Sequence, residues 1–241
     1  MPGTDKQEEL YREARGLVRR LGLMKVVREV GKAWLVGSVP LKLIVKPDID
    51  LHVLVGGERG RWHRPPACEG PGQDTGGTPV PPGTLDARHE VAAAMAIARN
   101  LMERCGVRKL EMLRFLFRDA VKIGFDERVG KRTWHVDVWV TTDPENLGTG
   151  PTRWVRRRLT PRLRQAILKL KRYYAERDMC RFGMSGELYR AVIEAGVRTP
   201  RQFLKYARTH QLNYNDTLEM LEADARTWKR VERDILSRVE G

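Results

Sequence analysis

Long apolar runs are missing from this chain. No stretch approaches the roughly 18 residues that a membrane-spanning helix needs, so no membrane association is expected. Cysteine is scarce: Cys68, Cys105 and Cys180 are the three present. Odd in number and far apart, they offer neither a disulfide framework nor the paired ligand spacing of a zinc site. The opening MPGTDKQEELYREARG is charged and lacks the apolar core of a secretory signal. These absences together give the expectation of a cytoplasmic protein. Aromatic residues make up 7%, with no Arg/aromatic alternation of the kind that stacks single-stranded bases. Acid is also in deficit. Against 31 Asp+Glu stand 45 Lys+Arg, a net charge of +14. That excess suits an anionic partner, a nucleoside triphosphate or a nucleic acid. Its weight is reduced by its make-up, 33 Arg against 12 Lys, a skew that GC-rich coding produces by itself.

What is present is the composition of a folded protein: 41% apolar and 32% charged residues. A length of 241 residues accommodates one large domain or two small ones. Residues 5–30 carry Leu10, Ala14, Leu17, Val18 and Leu21 at helical spacing and predict one amphipathic helix. Ala33–Val36 reads as a short buried strand stopping at Gly37-Ser38. Residues 48–55 (DIDLHVLV) read as a second strand. Residues 57–84 are crowded with Gly and Pro and predict a long mobile loop. A helix follows from Asp86 to about Cys105, then strands at 108–117 and 120–126. Residues 132–140 (RTWHVDVWV) alternate most clearly of all, joined to the preceding strand by a turn at 127–131. Residues 143–151 are turn chemistry. Beyond them only helices are predicted: 160–177, one capped by Ser185 and ending near Gly196, one opened by Thr199-Pro200-Arg201-Gln202, and a long one from about Asn215. The expected class is α+β, with domains at 1–150 and 151–241.

Chemistry concentrates in three acids. Asp48 and Asp50 are two apart on a strand, so both carboxylates project from one face while Ile49 and Leu51 turn into the core. Carboxylates at that spacing repel unless cations sit between them, and hard oxygen donors suit Mg²⁺ or Mn²⁺. Asp137 lies between Val136 and Val138 and shares its face with His135 and Trp139.

The order Val36-Gly37-Ser38, nine residues, Asp48-Ile49-Asp50-Leu51, then Val136-Asp137-Val138 on a later strand resembles the polymerase-β-like nucleotidyltransferase superfamily. The likeness covers about residues 30–140. The helical segment 186–206 (GELYRAVIEAGVRTPRQFLKY) further resembles small bacterial enzymes that modify aminoglycoside or lincosamide antibiotics. The resemblance implies a nucleotidyltransferase-type mixed sheet with helices, followed by a C-terminal helical bundle. It implies that Asp48 and Asp50 hold two Mg²⁺ ions, that Asp137 shares one and takes the acceptor's proton, and that Gly37 and Ser38 cradle the triphosphate. Glu111 and Asp126 are alternative bases. Among the basic residues of 152–175, Lys169 and Lys171 are the implied triphosphate contacts. His52, Lys42 and Lys46 read more readily as ordinary strand and surface residues. The expected reaction moves a nucleoside monophosphate, with AMP first, to a hydroxyl of a small molecule, releasing pyrophosphate. The alternatives are a template-independent RNA or tRNA-end nucleotidyltransferase, which the charge favours, and a catalytically silent nucleotide-binding regulator.

Overall fold

The computed structural model describes residues 2–56, 84–115, 119–180, 183–212 and 218–226. All but the last residue of the loop predicted at 57–84, and most of the long helix predicted from Asn215, lie outside the described residues. Alternation at 132–140 is realised as β5 (Arg132–Thr141), and DIDLHVL forms β2 (Asp48–Leu54). With β1 (Lys32–Val36), β3 (Glu111–Phe115) and β4 (Ala120–Val129) they make one mixed sheet in the order β1-β2-β5-β4-β3. Only β2 and β5 run parallel; the other pairs are antiparallel. A parallel neighbour requires a crossover. The chain between β2 and β5 contains the helix α3 (Thr84–Cys105), then β3 and β4. A two-residue turn, Gly130-Lys131, closes the β4–β5 hairpin, with Gly130 at φ +59°.

One face of this sheet is core. Ile49, Leu51 and Val53 of β2, Ile123 and Phe125 of β4, and Trp134, Val136, Val138 and Val140 of β5 are all buried there. They pack with Ala94, Ile97 and Leu101 of α3 and with the apolar stripes of α1 (Pro2–Arg20) and α2 (Leu23–Arg28). The single helix expected over 5–30 is thus two. Gly22 takes φ +62°, outside helical space for other residues, and the chain restarts as α2 after it.

The chain divides into two compact units, residues 1–152 and 153–241. The turn expected at 143–151 is partly helix. Asp143 accepts from the Glu145 N–H to cap a short 3-10 turn, Pro144–Asn146, and α4 (Thr149–Arg158) begins within the predicted turn. The second unit contains α5 (Pro161–Ala175), α6 (Met184–Ile193), α7 (Pro200–Thr209) and a helical stretch at 218–226. Ile167, Leu170, Tyr174, Leu188 and Phe203 are buried in it. Asp224 ties 218–226 to α5 by accepting from the Tyr173 hydroxyl at 2.5 Å. Ser185 does not cap α6, whose N-cap is Gly183 at φ +82°; Ser185 falls inside the first turn.

The α7 start matches its sequence. Thr199 Oγ1 accepts from Gln202 N–H, the Gln202 side chain accepts from Thr199 N–H, and Pro200 occupies the first turn. Thr199→Ala leaves one helix N–H without its partner and is expected to destabilise the helical unit by about 1 kcal/mol, read as a lower urea midpoint at unchanged slope.

Candidate active site

The sheet face opposite the core carries the three acids. In the parallel register Asp50 pairs with Asp137 and Asp48 with His135. On one side Val36 pairs with Asp50; on the other Gly124 pairs with Asp137, and Glu111 with Gly124. Paired residues project from the same face, and neighbouring strands lie roughly 4.8 Å apart. A row therefore crosses all five strands: Val36, Asp50, Asp137, Gly124, Glu111. The adjacent row reads Trp34, His52, Trp139, Lys122, Leu113.

Gly37 follows Val36 at φ +70°, and a Cβ there would stand 2.7 Å from Asp50 Oδ2. Two separate constraints thus select glycine: left-handed backbone and contact with the carboxylate. The chain after it folds back on itself, Leu43 N–H donating to Ser38 C=O at 2.9 Å, with Val39, Leu41, Leu43 and Ile44 buried. The Gly37 N–H, which the resemblance assigns to phosphate, donates to Thr152 Oγ1 at 3.1 Å. Gly37→Ala is expected to cost about 1–2 kcal/mol for the left-handed φ alone, to displace Asp50, and to lower Tm by several degrees. Retention of the wild-type Tm would disprove this account of the turn.

Charge on this face is balanced by the protein itself. Lys46 Nζ lies 3.3 Å from Asp48 Oδ2. Lys122 Nζ lies 3.1 Å from Asp137 Oδ1 and 3.3 Å from Oδ2. His135 bridges two acids, Nδ1 at 2.8 Å from Asp126 and Nε2 at 3.0 Å from Asp137. Its contact with Asp137, helped by Asp126 and Asp48, raises the His135 pKa to about 9 against the effect of burial. Burial by itself raises the Asp137 carboxyl, but His135 and Lys122 outweigh it and hold Asp137 below the ordinary carboxylate value. Asp137 is an anion inside a cationic bracket.

Lys122 was missing from the sequence reading. A lone lysine in the apolar run AVKIGF was the available signal, since period-2 alternation puts it opposite Val121 and Ile123. His52 is buried; its Nδ1 accepts from the Gly148 N–H at 3.0 Å and its ring stacks on Trp139 at 6.1 Å. It anchors the segment that leads into α4. Lys42 lies 3.9 Å from Glu8 and over the Tyr11 ring. Lys169 and Lys171 belong to α5 in the second unit. Lys169 is exposed, whereas Lys171 is only 5% exposed and donates to the Tyr189 hydroxyl at 3.0 Å.

Among the described residues, no three His, Cys, Asp or Glu side chains already converge to hold a metal ion. The donor set nevertheless suits a hard divalent cation in kind. Asp48, Asp50 and Asp137 supply oxygen donors on one sheet face, with two of them direct register partners. Gly37 and Gly124 leave space beside them, since a Cβ at 124 would stand 3.3 Å from Asp137 Oδ1.

No family model matches the chain, and no curated protein matches it. Among solved structures it is similar to the polymerase core of TRAMP, an RNA surveillance complex. The two share 14% identity at a TM-score of 0.44, over 80% of this chain and 58% of that one. That is a likeness of backbone course, so any chemistry has to follow from the residues themselves. Among the described residues, no helix is long and apolar enough to cross a membrane.

Proposed function

We propose that the chain is a metal-dependent nucleotidyltransferase, moving a nucleoside monophosphate, AMP first, from its triphosphate to a hydroxyl of a small acceptor. The observation that supports this most is the register itself: Asp50 opposite Asp137 on parallel strands, Asp48 on the same face, and Gly37 packed against the Asp50 carboxylate. Three carboxylates share one face with cationic side chains already drawn to two of them, so the face attracts positive charge, and oxygen donors at this spacing suit hard divalent cations.

In the reaction the acceptor oxygen attacks the α-phosphorus, the bond from that phosphorus to the bridging oxygen of the β-phosphate breaks, and pyrophosphate leaves. Two Mg²⁺ ions, when bound, lower the charge on the triphosphate and on the attacking oxygen. Asp48 and Asp50 hold the triphosphate side of the site, and Asp137 holds the acceptor side. Asp137 stays ionised at neutral pH, as a proton acceptor must, and Glu111, beyond Gly124 in the same row, is the second carboxylate in reach of an acceptor. Lys122 and His135 supply the counter-charge that keeps the acids together before substrate arrives. Gly37 admits phosphate close to the backbone, with the Thr152 hydroxyl giving up the Gly37 N–H.

The test is pyrophosphate release from each of the four ribonucleoside triphosphates, with Mg²⁺ and then with excess EDTA. Release that needs both the metal and an added hydroxyl compound is the expected result. Absence of turnover with every triphosphate, despite Mg²⁺-dependent nucleotide binding, would favour the silent nucleotide-binding regulator.

A further inference from the structure

Beyond Asp137, on the side away from Asp50, the sheet face opens into a groove of about 580 Å³ over β3, β4 and β5. Glu111, Gly124, Lys122 and His135 line its inner end, and the last two touch Asp137, at 3.1 and 3.0 Å. Its rim carries Arg108 and Lys109, in the connection from α3 to β3, and Arg128 near the end of β4. The acids along the groove are largely neutralised from within the protein. Asp126 is paired with His135 at 2.8 Å, and Glu127 with Arg20 at 3.1 Å. Arg128 donates through Nε to the Gly130 carbonyl, which leaves its charge uncompensated there. Arg108 and Lys109 are exposed and make no ion pair among the described residues. The groove thus presents Glu111 at its inner end, beside the two cations that hold Asp137, and surplus positive charge at its rim.

We propose that this groove receives the acceptor and selects one that carries a phosphate ester near its reactive hydroxyl, against a polycationic amino sugar. The role of the hydroxyl rests on the nucleotidyltransferase reading; the preference for anions does not. A phosphate ester is common to a small sugar phosphate and to the 3′ end of a nucleic acid. Cations on a rim hold such a group by charge-assisted hydrogen bonds, and repel an acceptor bearing several ammonium groups.

The experiment titrates the full chain, without triphosphate and at low salt, with three probes: ribose 5-phosphate, a fluorescein-labelled trinucleotide with a free 3′-hydroxyl, and an aminoglycoside. The same titrations are made on Arg108→Glu/Lys109→Glu and on a control of equal charge change, Arg19→Glu/Lys25→Glu, on α1 and α2. A phosphate probe bound more tightly than the aminoglycoside, weakened about ten-fold or more by the groove reversal and little by the control, is the expected result. A trinucleotide whose binding alone falls steeply with salt identifies the nucleic-acid source; ribose 5-phosphate bound as well as the trinucleotide identifies the small one. The proposal is overturned if the aminoglycoside binds best, if neither phosphate probe binds, or if both reversals weaken binding equally. Mg²⁺-dependent triphosphate binding and pyrophosphate release are measured alongside. The groove reversal should leave triphosphate binding intact and raise KM for the acceptor. Failure of the wild-type chain to release pyrophosphate at all would refute the enzymatic reading while the binding titrations still decide the groove.

Discussion

Asp137→Asn is expected to reduce nucleotidyl transfer on the order of 10³-fold, about 4 kcal/mol of transition-state stabilisation, while triphosphate binding largely survives. The substitution keeps the size of the side chain and its capacity to accept a hydrogen bond but removes its charge. In the proposed reaction that charge faces the acceptor, so its loss would be felt where the attacking oxygen develops negative character and sheds its proton. Asp48→Asn and Asp50→Asn remove charge from the triphosphate side and should weaken Mg²⁺-dependent nucleotide binding together with turnover. The contrast is between an interaction made in the transition state and one made already in the ground state. Calorimetry of triphosphate binding with Mg²⁺, run beside pyrophosphate release, separates the two. Equal loss of nucleotide binding in all three variants would remove the division of roles. Folding must be checked for Asp137→Asn in particular. Its side chain is only 14% exposed and lies against Lys122 and His135, so neutralising it leaves two cations facing each other. Circular dichroism and Tm of the metal-free variant distinguish a misfolded protein from an inactive one.

Trp134→Ala should have the largest effect on stability, about 3–5 kcal/mol. Trp134 is fully buried on the core face of β5. Its indole N–H donates to Glu13 Oε2 at 3.2 Å, and Glu13 also accepts from Arg132. Truncation therefore creates a large cavity under the strand that carries Asp137 and removes a link between the sheet and α1. A loss of that size is a substantial part of the roughly 5–15 kcal/mol that holds a typical domain folded. Trp134→Phe keeps most of the ring volume but loses the N–H, and should cost nearer 1–2 kcal/mol. Hydrogen exchange of the β2 and β5 amides measures both. A Trp134→Ala protein whose sheet amides exchange as slowly as the wild type would show that the core tolerates the void.

Several elements were legible because their determinants are local. Alternation with period 2 marked β2 and β5 and put Asp48, Asp50 and Asp137 on strand faces, since side-chain parity follows from backbone geometry alone. The Thr199-Pro200-Gln202 start of α7 was legible for the same reason, each contact spanning three residues or fewer. Local signals failed where a neighbour in space had the deciding vote. The apolar spacing of residues 5–30 is continuous, and only the left-handed Gly22 divides it. Helical spacing located α5, but its seam of contact with α6 decided that Lys171 is buried against Tyr189 while Lys169 is exposed.

By itself, then, the sequence determined that three acids stand on two strands with their carboxylates out of the core, and that a glycine ends the strand before them. Only the tertiary structure decided that β2 lies parallel to β5 with Asp50 opposite Asp137. It also decided that Lys122 and His135 neutralise the third acid, and that Gly124 stands between Asp137 and Glu111 in one row. The physical reason is that strand parity is a property of one chain segment, whereas register, counter-charge and open space belong to segments far apart in sequence, brought together by burial of the opposite face.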